Sequence, residues 1–323
     1  MITALLLVLG LGLLLSCGAA LVKGASGVAA QFGVSPMIVG LTIVSFGTSS
    51  PELVVNVIGA LNEQTELAFG NVVGSNLANL GLVLGIAAIV RPMSIDSKLV
   101  LRELPLLLLV TAIIVVMAVD PLLKGMAPTL DRADALVLLL VFCMFLYIAI
   151  IDVLRGKGVD PLVTHAGDMP LAVGGSARFL NWMYLGIGIV GLFLGGRLTI
   201  DNGVELARIL DIQSALVGLF IVAIGTSLPE LVTSVVAAMR GESDIALGNV
   251  VGSNLFNILM VLPVSALVRP VTVPAGGVVD LGMSLFLAAA LIPIFWIGRA
   301  RLGRRVGFML VLCYVGYAAW RTL

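Results

Sequence analysis

Charged residues are scarce in this sequence. Only 11% of the 323 residues are Asp, Glu, Lys or Arg and 60% are apolar, whereas an ordinary soluble domain has about 25% charged residues. This composition excludes a water-soluble globule. Lys plus Arg and Asp plus Glu each number 18, so no net charge favours nucleic acid as a partner. Cysteine is rare too: Cys17, Cys143 and Cys313 lie in apolar runs, which implies no disulfide framework.

Long apolar runs dominate what is present. Runs of 18 or more residues recur along the chain, and each can cross a hydrocarbon core of about 30 Å. Alternating ten-residue strands are absent, so we expect an all-α polytopic membrane protein embedded in the lipid bilayer, not a barrel. Ten spans are predicted, near residues 1–22, 35–62, 66–90, 99–120, 129–154, 179–200, 213–240, 243–268, 275–298 and 304–322. No connection is long enough for an extramembrane domain.

Lys and Arg are distributed unevenly between the two sides that these spans define. Twelve lie on the side of Lys23 and six on the other. The richer side is normally cytoplasmic, so we expect a plasma (inner) membrane protein with both termini outside the cytoplasm. Leu14-Leu15-Ser16-Cys17 resembles a lipoprotein cleavage box, but a signal peptide has basic residues before its apolar run, and here the first is Lys23. We expect the first helix to be retained.

The chain contains an internal duplication. Residues 39–92 match residues 217–270 without gaps, at an offset of 178, with 30 identities in 54 positions. Five predicted spans separate equivalent points, so the second copy enters the membrane from the opposite side. The sequence therefore predicts a first five-helix repeat (1–154), a Gly- and Pro-rich cytoplasmic linker (155–178) and a second, inverted five-helix repeat (179–323). Secondary transporters commonly have this plan and bind substrate near the midplane between the repeats.

Two acidic residues lie deep inside apolar spans. They are Glu52 and Glu230, which are equivalent in the two copies. A charge at the bilayer centre costs about 2.5–3.5 kcal/mol on insertion scales and so indicates function, although two protonated carboxyls could merely hold helices together. Each Glu ends a Gly-Thr-Ser-x-Pro-Glu run. Its proline either bends the helix or frees carbonyls that a hard cation could bind at midplane depth.

Further oxygen-bearing residues follow at helical spacing. Ser45, Thr48, Ser49 and Glu52 share one helix face. The next helix of each copy repeats the pattern, with Asn71, Ser75 and Asn79 in the first and Asn249, Ser253 and Asn257 in the second. A lone polar residue of this kind usually stabilises the packing of membrane helices by about 0.6 kcal/mol through a hydrogen bond. Ten or more around two carboxylates favour a coordination shell.

The chemistry of this shell selects the class of ion. Neither Cys nor His lies near it, and oxygen ligands suit Ca²⁺, Mg²⁺ or Mn²⁺ better than softer metals. Ca²⁺ accepts about six to eight oxygens in flexible geometry, whereas Mg²⁺ demands a tight octahedron. Two carboxylates neutralise one divalent or two monovalent ions, which is what exchange requires.

The paired signatures GTSxPE and GNVVGSN resemble the alpha repeats of the cation/Ca²⁺ exchanger superfamily, and most of all its prokaryotic sodium/calcium antiporters. The resemblance implies a ten-helix, inverted-repeat antiporter that exchanges Ca²⁺ for Na⁺ by alternating access, with no prosthetic group and no obligatory protein partner. It also implies that the first helix of each repeat slides across the bundle. Glycines at 10, 12, 18, 186, 188, 191, 195 and 196 suit such sliding, and suit ordinary tight packing equally well.

Site residues carried over by this resemblance fall into three sets. Glu52 and Glu230 would share Ca²⁺ and also bind Na⁺, and the carbonyls of Thr48 and Thr226 would complete the Ca²⁺ shell. Flanking Na⁺ sites would use Ser49, Ser75, Ser227 and Ser253, with matching backbone carbonyls at Ser45 and Ala223. Asn79 and Asn257 match the central pair. Relatives often carry Asp at the position of Asn257, which leaves occupancy of the middle site and any use of K⁺ open.

Other functions remain in competition. A Ca²⁺/H⁺ antiporter could use the same carboxylates, although proton-coupled relatives usually have acidic or His residues within the GN motif, where this chain has Gly-Ser. A passive cation channel also typically carries a charged ring. An intramembrane protease is disfavoured because no paired catalytic Asp or metal-binding His motif is present, so we expect no enzyme. His165 lies in the predicted linker and is interpreted as a solvated loop residue.

Overall fold

The computed structural model describes residues 2–94, 99–123, 125, 127–155, 175–209, 223–297 and 301–322. Its helices are α1 (Ile2–Phe32), α2 (Pro36–Thr48), α3 (Ser50–Leu61), α4 (Thr65–Val90), α5 (Leu104–Leu123), α6 (Arg132–Arg155), α7 (Gly175–Ile209), α8 (Ala223–Thr226), α9 (Leu228–Arg240), α10 (Ser243–Val268), α11 (Gly277–Ile297) and α12 (Arg304–Thr322). Four two-residue strands complete it: β1 (Met93–Ser94), β2 (Thr129–Leu130), β3 (Val271–Thr272) and β4 (Arg301–Leu302).

The predicted helical, polytopic architecture is confirmed, but the count of ten spans is not. Within the described residues, seven helices are long and apolar enough to cross a membrane, and the bent pair α2–α3 would make an eighth. The predicted span 213–240 is described only from residue 223, and α12 is a helix that is not among the seven. The predicted linker lies largely outside the described residues, as does His165, and α7 already begins at Gly175.

The first helix runs beyond its predicted end at residue 22. Lys23 lies inside α1, with its ammonium 4.3 Å from the ring centroid of Tyr184 on α7. The helix ends at Phe32, and the φ of +62° at the next residue, Gly33, lets the Val34 N–H donate to the Ala29 carbonyl, a common way of satisfying the last carbonyls of a helix. The predicted span ended before Lys23, and this cation–π contact accommodates the charge of Lys23 within the longer helix.

Glycines form the seam between α1 and α7. A Cβ at Gly188 would lie 2.7 Å from the backbone of Leu21, and one at Gly195 would lie 3.0 Å from the backbone of Leu14. Small residues let two helix backbones approach this closely. Gly18 and Gly196 instead face α9, whereas Gly12 and Gly186 have no described neighbour within 4 Å. Most of these glycines therefore serve tight packing, and sliding of the pair stays a prediction.

A break separates α2 from α3, and a second separates α8 from α9. At Ser49 the backbone turns to φ −91° and ψ 5°, and at Ser227 to φ −90° and ψ 9°, so the two copies break with the same geometry. The axes of α2 and α3 differ by 44°. A proline within the first two positions of α3 and of α9 causes the break, because it has no N–H to donate and its fixed φ suits a helix start.

The two copies also share finer features. π-helical turns at Asn79–Val83 in α4 and Asn257–Val261 in α10 lie at equivalent positions, offset by 178 residues. Two short antiparallel ribbons, not anticipated from the sequence, pair β1 with β4 and β2 with β3. Each ribbon joins a strand from the first half of the chain to one from the second half. Both ribbons therefore tie the first half of the chain to the second.

Candidate cation-binding site

The two predicted carboxyl residues lie in the first turns of α3 and α9, directly after the helix breaks. Glu52 is 0% exposed and Glu230 is 1% exposed, and the two helix breaks that they follow are joined by a hydrogen bond from Ser49 to Glu230. Within the described residues neither forms an ion pair, and no donor reaches either oxygen of Glu52. Glu230 Oε1 accepts a hydrogen bond of 2.8 Å from Ser49 Oγ, while its Oε2 has no partner among these residues.

The four predicted serines are all buried, with at most 2% exposure. Ser49 donates its hydrogen bond to Glu230, and Ser253 Oγ lies 3.4 Å from the hydroxyl of Thr48. The hydroxyls of Ser75 and Ser227 have no hydrogen-bond partner among the described residues. A buried hydroxyl without a partner is costly, so these two oxygens are free to bind something else.

The threonine carbonyls and their neighbours are less uniform than predicted. Thr48 ends α2 and Thr226 ends α8, so both carbonyls lie at the helix breaks. The carbonyl of Ser45 accepts from the Ser49 N–H (2.9 Å), and Thr48 Oγ1, 3.3 Å away, could use its second lone pair only by giving up the shorter bond to Asn249. Ala223 begins α8, and its side chain and residues 210–222 before it lie outside the described part of the chain.

The central asparagines are joined across the halves in a reciprocal arrangement. Asn79 Nδ2 donates to Asn254 Oδ1 (3.1 Å), and the equivalent Asn257 Nδ2 donates to Asn76 Oδ1 (3.0 Å). All four side chains are buried, and the Oδ1 atoms of Asn79 and Asn257 have no donor among the described residues. The central pair thus presents two amide oxygens that remain available as ligands.

The structure adds residues that the predicted set lacks. Asn71 and Asn249, noted in the sequence as part of an oxygen stripe but not as site residues, each contact a threonine of the other copy. Asn56 and Ser234, which were not predicted to contribute, accept hydrogen bonds from Asn71 and Asn249 respectively. Both lie four residues after a buried Glu, so the i, i+4 spacing on the helix was the available signal.

The side-chain hydrogen bonds at the centre connect one half of the chain to the other. They include Ser49 with Glu230, Thr48 with Asn249, and the paired asparagines. No described group combines three or more His, Cys, Asp or Glu side chains, so any bound cation would take two carboxylates and otherwise neutral oxygens. Such a set is chemically suited to hard cations.

Known proteins resemble this chain over nearly its whole length. The family described as sodium/calcium exchanger protein matches residues 2–151 and 180–323. The inner membrane protein YrbG of Escherichia coli (strain K12) is 37% identical over 323 residues, which cover 98% of this chain and 95% of that protein. The sodium/calcium exchanger MaX1 of Methanosarcina acetivorans is 31% identical, with 97% and 96% covered.

A solved structure has the same fold. The sodium-calcium exchanger NCX_Mj, from a crystal soaked with 2.5 mM Na⁺ and 1 mM Sr²⁺, superposes with a TM-score of 0.83 at 28% identity, over 99% of this chain and 98% of that one. MaX1 and NCX_Mj are named as sodium/calcium exchangers, which are transporters and not enzymes. The matched residues include both copies of the GTSxPE and GNVVGSN motifs and all twelve predicted site residues. The chain belongs to the sodium/calcium exchanger protein family of membrane antiporters.

Proposed function

We propose that this protein exchanges Ca²⁺ for Na⁺ across the plasma membrane by alternating access, with both ions bound between Glu52 and Glu230. One observation carries the proposal: two fully buried carboxyl groups from opposite halves of the chain lie at helix breaks that the Ser49–Glu230 hydrogen bond joins, and neither has a basic partner among the described residues. Taking an ionised carboxylate out of water costs several kcal/mol even in a relaxed protein. A cation between the two offsets that cost for both at once.

The groups around the carboxylates supply neutral ligands. Ser75, Ser227, Asn79 and Asn257 each carry a buried side-chain oxygen that has no described donor. With the carboxylates and the carbonyls at the helix breaks, these oxygens meet the requirement of Ca²⁺ for about six to eight ligands. The carboxylates with the serine hydroxyls, and without the threonine carbonyls, would bind Na⁺, and two Na⁺ carry the same charge as one Ca²⁺.

The position of the site fits a two-repeat transporter. We assign the first repeat to 1–154, the linker to 155–178 and the second repeat to 179–323, with ten spans and both termini outside the cytoplasm. Equivalent helices α4 and α10, each 26 residues long, support the duplication, and β ribbons that join the two halves agree with a pseudo-twofold relation. A site on that axis can be reached alternately from either side.

Ion flux into proteoliposomes tests the proposal. Vesicles loaded with Na⁺ should take up radioactive Ca²⁺ from a Na⁺-free medium, and vesicles loaded with choline should not. A pH gradient across Na⁺-free vesicles provides the contrast with Ca²⁺/H⁺ exchange, which the donor-free oxygens of Glu52 would also permit.

Each alternative has its own signature in this assay. Uptake driven by the pH gradient and indifferent to Na⁺ would assign the carboxylates to proton exchange. Uptake in every vesicle, following the Ca²⁺ gradient alone, would identify a passive channel. K⁺ added to the Na⁺-loaded vesicles would reveal whether the Asn257 site has a role for that ion.

A further inference from the structure

Two chains of hydrogen bonds run from the buried helices to the threonines at the breaks. In the first, Thr226 Oγ1 donates to Asn71 Oδ1 (3.4 Å), Asn71 Nδ2 donates to Asn56 Oδ1 (2.7 Å), and Asn56 Nδ2 donates to the carbonyl of Ala68 (2.9 Å). The two asparagines belong to the first repeat and the threonine to the second. The hydrogen bond from Thr226 to Asn71 is therefore the one that crosses between the two halves.

The second chain repeats this order with the halves exchanged. Thr48 Oγ1 donates to Asn249 Oδ1 (3.0 Å), Asn249 Nδ2 donates to Ser234 Oγ (2.9 Å), and Ser234 Oγ reaches the carbonyl of Ala246 (3.5 Å). Asn249 Nδ2 also lies 3.3 Å from the carbonyl of Glu230. Apart from Ser in place of Asn at one position, the two chains are equivalent residue by residue.

This arrangement determines which way each asparagine amide faces. An amide presents an acceptor on one side and two donors on the other. Because Asn56 offers Asn71 an oxygen, the NH₂ group of Asn71 turns toward it and the Oδ1 atom is left facing Thr226. If Asn56 could not accept, the Asn71 amide could flip and present a donor to the threonine hydroxyl.

The threonine in turn transmits this constraint to its own carbonyl. A β-branched side chain has few χ1 rotamers, so a tethered hydroxyl holds the backbone at that residue in one orientation. Thr48 and Thr226 are the last helical residues before the breaks, so their carbonyls lie where the regular helix stops. We propose that Asn71 with Asn56, and Asn249 with Ser234, are positioning residues that aim the threonine carbonyl of the opposite repeat at Ca²⁺.

This inference rests on the proposed function, since it assumes that Ca²⁺ binds those carbonyls. Outer-shell partners of metal ligands typically contribute about 10–100-fold to affinity. Thr226→Val keeps the carbonyl and the side-chain shape but removes the donor, and it should weaken Ca²⁺ binding by about tenfold or more. Na⁺ binding through the serine hydroxyls should change much less. Unequal loss for the two ions separates positioning from a general structural defect.

Calorimetric titration of the purified, detergent-solubilised protein with CaCl₂ and with NaCl measures both affinities. Asn56→Leu should weaken Ca²⁺ binding as Thr226→Val does, and the double variant should be no worse than either single one, because both changes act through one chain. Asn56→Ser should bind Ca²⁺ nearly as wild type does, since Ser already fills this position in the second chain. Thr233→Val, a matched change at a buried threonine outside both chains, should have no effect on either affinity.

Several results would overturn the inference. The first is a Thr226→Val variant that binds Ca²⁺ as tightly as wild type. The second is a double variant whose loss of Ca²⁺ affinity equals the product of the two single losses. The third is an equal loss of Na⁺ and Ca²⁺ affinity in Thr226→Val. Thr226→Val is nearly isosteric, so it decides the question even if Asn56→Leu does not fold. Failure of the proposed function would look different: the wild-type protein would itself show no Ca²⁺ binding or no exchange.

Discussion

Replacing Glu52 by Gln should abolish Ca²⁺ uptake while leaving the fold intact. The substitution keeps the size of the side chain and removes one of the two charges at the site. In the structure neither oxygen of Glu52 accepts a hydrogen bond from the described residues, so the substituted amide breaks no described hydrogen bond. It also replaces a buried ionisable group by a neutral one, which costs less to bury. In buffer without Na⁺ or Ca²⁺ the variant should therefore melt at the wild-type temperature or above it.

The effect on ion binding is much larger and depends on the charge of the ion. At an effective dielectric constant of about 20, two unit charges about 4 Å apart interact by about 4 kcal/mol. Loss of one carboxylate then weakens Na⁺ binding by about 4 kcal/mol and Ca²⁺ binding by about 8 kcal/mol. These energies correspond to factors of about 10³ and more than about 10⁵ in affinity. Ca²⁺ uptake should disappear, while weak Na⁺ binding could still be measured at high concentration.

The assay is uptake of radioactive Ca²⁺ into Na⁺-loaded proteoliposomes, with Glu66→Gln as the matched control. Glu66 undergoes the same chemical change on an exposed first turn of α4, and its uptake should equal that of wild type. Uptake by Glu52→Gln within tenfold of wild type would refute the reasoning, because a buried cage that loses half its charge cannot hold a divalent ion at near-native affinity.

Two further predictions use matched pairs. In ion-free buffer Ser49→Ala should lower the free energy of unfolding by about 1.5–3 kcal/mol, since it removes a hydrogen-bond donor to the Glu230 carboxylate. Ser227→Ala removes a hydroxyl without a described partner and should be neutral or stabilising. Equal melting temperatures of the two variants would contradict this asymmetry. Gly188→Ala should cost about 1–3 kcal/mol by forcing α7 away from the α1 backbone, and Gly186→Ala, on an exposed side of the same helix, should cost little. Thermal melts in detergent measure both pairs. A Gly188→Ala variant with the wild-type melting temperature would show that α1 and α7 do not pack tightly at this position.

Much of the candidate site was predictable because its signals are local and occur twice. A buried acid after a Thr-Ser-x-Pro turn can be recognised from neighbouring residues alone, and duplication at a fixed offset argues against chance as the origin of Glu52 and Glu230. The oxygen stripes followed from helical spacing. Helix lengths were less predictable, because α1 and α7 extend each other through mutual packing beyond the apolar core.

The amino-acid sequence alone determined that the chain is a duplicated membrane protein and which acidic pair lies at its centre, because hydropathy and repetition are properties of order along the chain. Only the tertiary structure decided which side chains meet. Asn79 reaches Asn254 and Thr48 reaches Asn249 across large separations in sequence. The structure alone also distinguishes Ser49, whose hydroxyl donates a hydrogen bond to Glu230, from Ser227, whose hydroxyl has no partner among the described residues. The GTSxPE motif that the two copies share cannot encode that difference, since it arises from the neighbours that packing brings to each copy.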